Sequence, residues 1–315
     1  MEINQPICKL FGIKYPIVQA GMIWCSGWEL ASASANAGIL GIIGAGSMYP
    51  DVLRTHIRKC KAATDKPFAV NVPLLYPDIE QLMDIIVEEG VKIVFTSAGN
   101  PRTWTGFLKE KGITVVHVVS SARFAQKAAD AGVDAVVAEG FEAGGHNGRE
   151  ETTTMCLIPA VRDAIDIPLI AAGGIGDGRA MLAAIALGAD GVQVGSRFVA
   201  SVESSAHQSF KDVVVEAAEG STVLTLKEIT PVRLVRNKFY QDVQDHYARC
   251  AEVDELRALL GRGRAKKGMF EGDLDEGELE IGQVSGTIKD IKTVKEIVDE
   301  FISVYNTTFS KIMSV

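Results

Sequence analysis

At 315 residues, with 47% hydrophobic and 23% charged content, the chain is long enough for one large domain or two small ones and carries nothing disordered or fibrous. A net charge of −8 disfavours non-specific binding to nucleic acid or to an anionic membrane, so an anionic partner must find a local basic patch. The five cysteines are scattered and lack any Cys-x-x-Cys pair, which argues against a disulfide framework and a zinc site and fits a reducing compartment.

The opening Met-Glu-Ile-Asn-Gln-Pro has no basic n-region and no apolar h-region, and no apolar run approaches membrane-spanning length, so a cytoplasmic protein is expected. Short β-rich runs follow at 16–19, 38–43, 67–72, 92–96, 114–119, 135–138, 168–172 and 191–194. Between them, helical periodicity marks 28–37, 51–63, 79–89, 122–131, 157–165 and 179–187. Strands alternating with helices mean parallel pairing, because a parallel connection needs a crossover. Two parallel architectures compete, and eight units within residues 1–200 favour the closed (β/α)8 TIM barrel over the open doubly wound sheet. Residues 201–315 are expected to form a C-terminal helical extension packing on the barrel as a lid or substrate subdomain. Within it, 203–244 reads as charge-rich and helical with an interruption at 231–237; 261–277 mixes glycine with charge, and 294–305 is helical.

Several of the strands end in small or polar residues, and in a barrel those ends converge on the face where active sites of this fold sit. The most informative stretch is 136–148, Val-Val-Ala-Glu-Gly-Phe-Glu-Ala-Gly-Gly-His-Asn-Gly. A buried strand ends at Glu139 and spills into a loop holding Gly140, Gly144, Gly145 and Gly148, with one imidazole, His146, among them. Loops this rich in glycine cost entropy and suit a close approach to a ligand; a flexible turn with a solvated histidine is the plain alternative. Gly173 and Gly174 follow the seventh strand before a helix, and Gly195-Ser196 ends the eighth. Those two positions commonly form a phosphate site in such barrels. No Gly-x-Gly-x-x-Gly follows the first strand and no Walker motif occurs, so neither a Rossmann site nor a P-loop is indicated. Together with Asn71, Glu139 and the Ala20-Gly21-Met22 turn, this arrangement suits a phosphorylated cofactor lying over the barrel axis. Flavin mononucleotide (FMN) meets the description; spacing alone does not separate it from a sugar phosphate or a purine nucleotide.

The same residues carry a resemblance. Segments 15–22, 41–44, 66–71, 98–101, 138–146, 170–175 and 191–198 are similar to those of the flavin-dependent (type II) enoyl-acyl carrier protein reductases, which belong with the nitronate monooxygenases, formerly 2-nitropropane dioxygenases. Leu74-Leu75, the 98–101 turn, 266–273 and Gly282-Gln283 resemble the reductases more. One departure is the charged segment Arg149-Glu150-Glu151 beside His146, which bears on acyl-chain specificity.

The resemblance implies FMN held by Ala20, Gly21, Met22, Asn71, Glu139, Gly144, Gly145, Gly173, Gly174, Gly195 and Ser196. It implies NADH or NADPH as reductant, hydride transfer to the β-carbon of a trans-2-enoyl thioester, and a proton at the α-carbon. His146 is the catalytic candidate, polarising the thioester or handling the proton, since imidazole titrates near working pH. A homodimer is expected. A nitronate monooxygenase, needing oxygen and no nicotinamide, is the alternative, and a non-catalytic flavin-binding barrel is a second.

No metal is expected, because no second histidine or cysteine stands at ligand spacing. His56, His207 and His246 read as surface residues and His117 as a structural side chain within a strand. An acidic carrier protein would need a basic landing site, and Arg233, Arg236, Lys238, Arg262, Arg264, Lys266 and Lys267 are its candidates.

Overall fold

The computed structural model describes residues 5–314, so the leader-free reading of the first residues lies partly outside it. Eight strands build the barrel: β1 (Ile17–Gln19), β2 (Gly41–Gly44), β3 (Phe68–Pro73), β4 (Ile93–Ser97), β5 (Thr114–Val119), β6 (Ala135–Glu139), then, after the short β7 (Gly145–His146), β8 (Leu169–Ala172) and β9 (Gly191–Val194). They pair in parallel in the order β1-β9-β8-β6-β5-β4-β3-β2, and a parallel bridge from Val18 to Leu40 closes the ring. This is the expected (β/α)8 barrel.

Alternation along the strands sorts the core into two layers. Ile42, Val116, Val137 and Ile170 point inward and fill the barrel with Phe95. Their neighbours Ile43, Val115, Val136 and Leu169 point outward beneath the helices. Helix Pro6–Phe11 plugs the N-terminal end, placing the Phe11 ring 5.9 Å from that of Phe95. With that end closed, only the C-terminal end remains open.

The chain after residue 200 is not only helical. Helices Gln208–Glu216 and Lys238–Ala248 flank two strands, β10 (Thr222–Thr225) and β11 (Val232–Val235), which form an antiparallel hairpin. The interruption read at 231–237 is therefore β11. Its Val-Arg-Leu-Val alternation is too short to outweigh the surrounding charge as a strand signal. β11 also pairs with β7, opposing Val232 to His146 and Arg233 to Gly145, so the post-barrel segment fixes the loop after β6. The last helix, Val294–Met313, returns to the barrel wall. It lies so close to helix Gly178–Ala186 that a Cβ on Gly178 would sit 2.2 Å from the Phe301 carbonyl oxygen. Among the described residues, no helix is long and apolar enough to cross a membrane.

Candidate active site

The open end of the barrel leads into a cavity of about 930 Å³. Ala20, Gly21, Met22, Asn71, Glu139, Gly144, Gly145, His146, Gly173, Gly174, Gly195 and Ser196 all line it. One cavity thus brings together every residue that the sequence nominated for FMN or for catalysis.

The turn after β1 is set by buried polar side chains. Gln19 accepts the Ile42 N–H at 3.0 Å and donates to Ser26 Oγ at 3.0 Å, while Ser26 Oγ donates to the Ala20 carbonyl at 2.9 Å and accepts from the Met22 N–H at 3.0 Å. Gly21 is required by packing: a Cβ there would fall 2.5 Å from that of Asn71.

The loop after β6 is held from both sides. Glu142 accepts from the Thr154 N–H at 2.9 Å and from its hydroxyl at 3.0 Å; that hydroxyl also lies 2.9 Å from the Gly173 carbonyl oxygen. Asn147 Nδ2 donates to the carbonyls of Ala143 and Gly145 at 2.9 and 3.1 Å. On the other side, residues 280–283 lie directly on the loop. The Gln283 N–H donates to the Glu142 carbonyl at 2.9 Å, and the Gly282 N–H donates to Ser196 Oγ at 3.0 Å. Gly144 makes this approach possible, since its Cβ would come within 2.4 Å of the Ile281 backbone. Its glycine therefore serves chain packing as well as lining the cavity. His146 itself is exposed to the cavity, and no side chain among the described residues hydrogen-bonds its ring.

The turns after β8 and β9 offer an anion cradle. Gly173 and Gly174 take φ of +94° and +69°, and with Gly195 and Ser196 they form one wall. Left-handed backbone of this kind turns successive N–H groups toward one point, the geometry of an anion-binding nest. These residues fit the phosphate of a nucleotide cofactor. Among the described residues, no three of His, Cys, Asp and Glu group to hold a metal ion.

The cavity also carries titratable groups whose state only the fold sets, and two of them, Glu278 and Glu280, the sequence did not single out. His117 is buried, its Nδ1 2.7 Å from Thr96 Oγ1, and burial pushes its pKa down to about 4, so a neutral ring lines the cavity. Burial pushes Glu139 up to about 7. Glu280 faces the cavity with Glu278 behind it; burial raises both, and Glu280 raises Glu278 further. Glu278 and Glu280 sit in an alternating charged and apolar run, which in sequence looks like a solvated edge.

Comparison with known proteins agrees with this geometry. The family model described as nitronate monooxygenase matches residues 4–83 and 76–303. The chain belongs to the nitronate monooxygenase family. It is an oxidoreductase of that family. It is 35% identical over 318 residues to a probable nitronate monooxygenase of Staphylococcus saprophyticus, covering 85% of this chain and 89% of that one. It is 32% identical over 342 residues to a substituted octahydro-1H-indene-4-carboxyl-CoA dehydrogenase of Mycobacterium tuberculosis, covering 96% of each. The structure of FabK from Thermotoga maritima superposes with a TM-score of 0.93 at 41% identity, covering 99% of both chains.

Family membership leaves the rim to this chain's own residues. The charged segment beside His146 clamps the β10–β11 turn: Arg149 donates to the carbonyls of Lys227 and Ile229 at 3.2 Å, and Glu151 pairs with Lys227. The basic cluster expected to meet a carrier is largely engaged. Arg233 is 1% exposed and donates to the Phe141 carbonyl at 2.9 and 3.1 Å, so it belongs to the interior. Arg264 donates to the Leu259, Leu260 and Glu276 carbonyls, while Lys238, Lys266 and Lys267 pair with Glu276, Glu271 and Asp273. Sequence proximity suggested free charge; nearby carboxylates, invisible as partners until the chain folds, neutralise it.

Glu139 makes the fold pH-sensitive. Its ordinary value of 4.5 rises to about 7 in the folded state, so between those values the native protein binds the extra proton. Its contribution is fully present below the unfolded value and is lost as pH rises through the folded one. In the cofactor-free protein, Glu139→Gln should match its parent near pH 4.5. By pH 8 it should be more stable by at most about 3 kcal/mol. Urea unfolding at both pH values checks this; an equal change at the two would mean that Glu139 ionises normally.

Proposed function

We propose that the protein reduces the α,β-double bond of a 2-enoyl thioester, using bound FMN and NADH or NADPH, with acyl carrier protein as the carrier of its substrate. The observation that carries this reading is the placement in one cavity of a free imidazole, His146, with the glycine turns at Gly173, Gly174 and Gly195. The FabK likeness supports it over most of the chain.

FMN, when bound, supplies the hydride relay between nicotinamide and substrate. The protein's own part is to hold and orient. Backbone N–H groups around Gly173, Gly174, Gly195 and Ser196 take the phosphate, and Asn71 and Glu139 offer polar atoms along the wall leading away from it. His146, anchored through its backbone to β11, presents its ring to the thioester. There it donates a proton to the carbonyl oxygen or the α-carbon as hydride reaches the β-carbon. The neutral His117 and the apolar lining of Met22, Val199 and Met269 add no charge to the cavity.

Nitronate oxidation is the second reading, favoured by the family match and the staphylococcal relative. Anaerobic mixing separates the two. Yellow protein that releases FMN on denaturation and bleaches rapidly with NADH, then recovers colour with crotonyl-N-acetylcysteamine, is the expected result. Bleaching only by an alkyl nitronate would establish the alternative.

A further inference from the structure

Glu280 occupies a place that the enoyl-reduction chemistry described above does not use. The chain crosses β11 again at this point: the Val235 N–H donates to the Leu279 carbonyl at 2.9 Å, and Glu280 bridges antiparallel to Leu234. That register sets Glu280 beside β7, its carboxyl resting on Gly145, where a Cβ would fall 2.6 Å from Oε2. The Glu280 carboxyl and the His146 imidazole therefore leave adjacent positions of one wall and face the same cavity.

Glu280 is partly buried at the cavity wall, and no hydrogen bond or ion pair reaches its carboxyl from the described residues. Cys25, close enough to feel its charge, belongs to an apolar cluster with Val199, Met269 and Ile281 that also lines the cavity. Arg264, the cation that acts on the neighbouring Glu278, is itself committed to the Glu276 carbonyl. Glu278, 7% exposed, stands behind it and adds repulsion between the two carboxyls. A polar group left without a partner away from water is costly, and an alkyl chain laid against it would strand it there.

We propose that Glu280 is a specificity-determining residue that hydrogen-bonds an oxygen on the acyl group, so that the preferred substrate is an oxygen-bearing 2-enoyl thioester rather than one with a bare alkyl chain. The inference rests on the enoyl-thioester reading and names the substrate class within it. A neutral carboxyl both donates and accepts, so a hydroxyl or a carbonyl oxygen satisfies it. Sites built to bond a substrate hydroxyl discriminate strongly against analogues lacking it, because the site's own group is then stranded.

The test is binding to the FMN-loaded protein, read by isothermal titration calorimetry. The probes are hexanoyl-N-acetylcysteamine and its 4-, 5- and 6-hydroxy isomers, which are saturated and do not react. At least one hydroxy isomer should bind about tenfold or more tightly than hexanoyl. Glu280→Leu should remove that preference and bind hexanoyl better than the parent does. Glu280→Gln, which still donates and accepts but cannot relay a proton, should keep the preference. Parent protein that binds hexanoyl as well as every hydroxy isomer would overturn the proposal, as would a Leu variant that keeps the preference. A Leu variant that fails to fold leaves the parent and Gln comparisons to decide. NADH-dependent turnover of crotonyl-N-acetylcysteamine is followed alongside. Turnover without any hydroxyl preference sinks this inference alone, whereas neither turnover nor binding sinks the enoyl reading and this inference with it.

Discussion

His146→Ala should keep its flavin and lose enoyl reduction by about 10²- to 10⁴-fold, the usual contribution of a general acid–base group. The structure makes this a clean substitution. His146 is tied down through its backbone, opposite Val232 on β11, and its ring takes no hydrogen bond from the described residues, so alanine removes the imidazole without freeing the loop. The loss should appear in kcat more than in KM, since the proton is needed in the transition state and the thioester keeps its other contacts. Bleaching by NADH should suffer less, because that half-reaction needs no proton from this ring. Stopped-flow absorbance measures both halves in one preparation. Turnover within a factor of about two of the parent would make His146 a lining residue only.

Gly174→Asp should yield colourless protein that does not take up FMN on reconstitution. Gly174 holds φ at +69°, a conformation that aspartate tolerates better than most residues, and a Cβ there would meet that of Glu142 at 3.4 Å, ordinary contact. The fold should therefore survive, while a carboxylate enters the wall assigned to the phosphate. Gly174→Asn is the control: it carries the same backbone strain without the charge and should retain weakened binding. Visible absorbance after dialysis against FMN, with circular dichroism to confirm folding, reads the difference. Normal uptake by the aspartate variant would move the phosphate to another part of the cavity.

Much of this site was legible because the relevant signals are local. A strand that stops at Glu139 and a loop of glycines around His146 are properties of consecutive residues, as are the paired turns at Gly173 and Gly195. Once eight strand–helix units imply a closed barrel, geometry carries all their C-terminal ends to one face. The glycines themselves were read too narrowly. Gly21 and Gly144 were nominated for their closeness to a cofactor, and both line the cavity. What excludes a side chain at each is protein: Asn71 at the first and the Ile281 backbone at the second.

The order of elements, the closed parallel barrel and the place of the His146 imidazole at the strand ends were determined by the sequence alone, through period-two alternation, helical spacing and turn chemistry that each act within a few residues. Only the tertiary structure decided that β11 would pair with β7, that Glu278 and Glu280 would come to rest beside His146, and that Arg233 would be interior. It also decided that most of the basic cluster after the barrel would be neutralised. Each of these depends on which distant segment supplies a partner: Arg233 and Phe141 are joined across 92 positions, and the Ser196 hydroxyl meets the Gly282 N–H across 86. Desolvation and Coulomb energy depend on what surrounds a charge in space. A carboxylate that looks solvated in its own segment therefore becomes a buried, unpartnered group only when the rest of the chain closes over it.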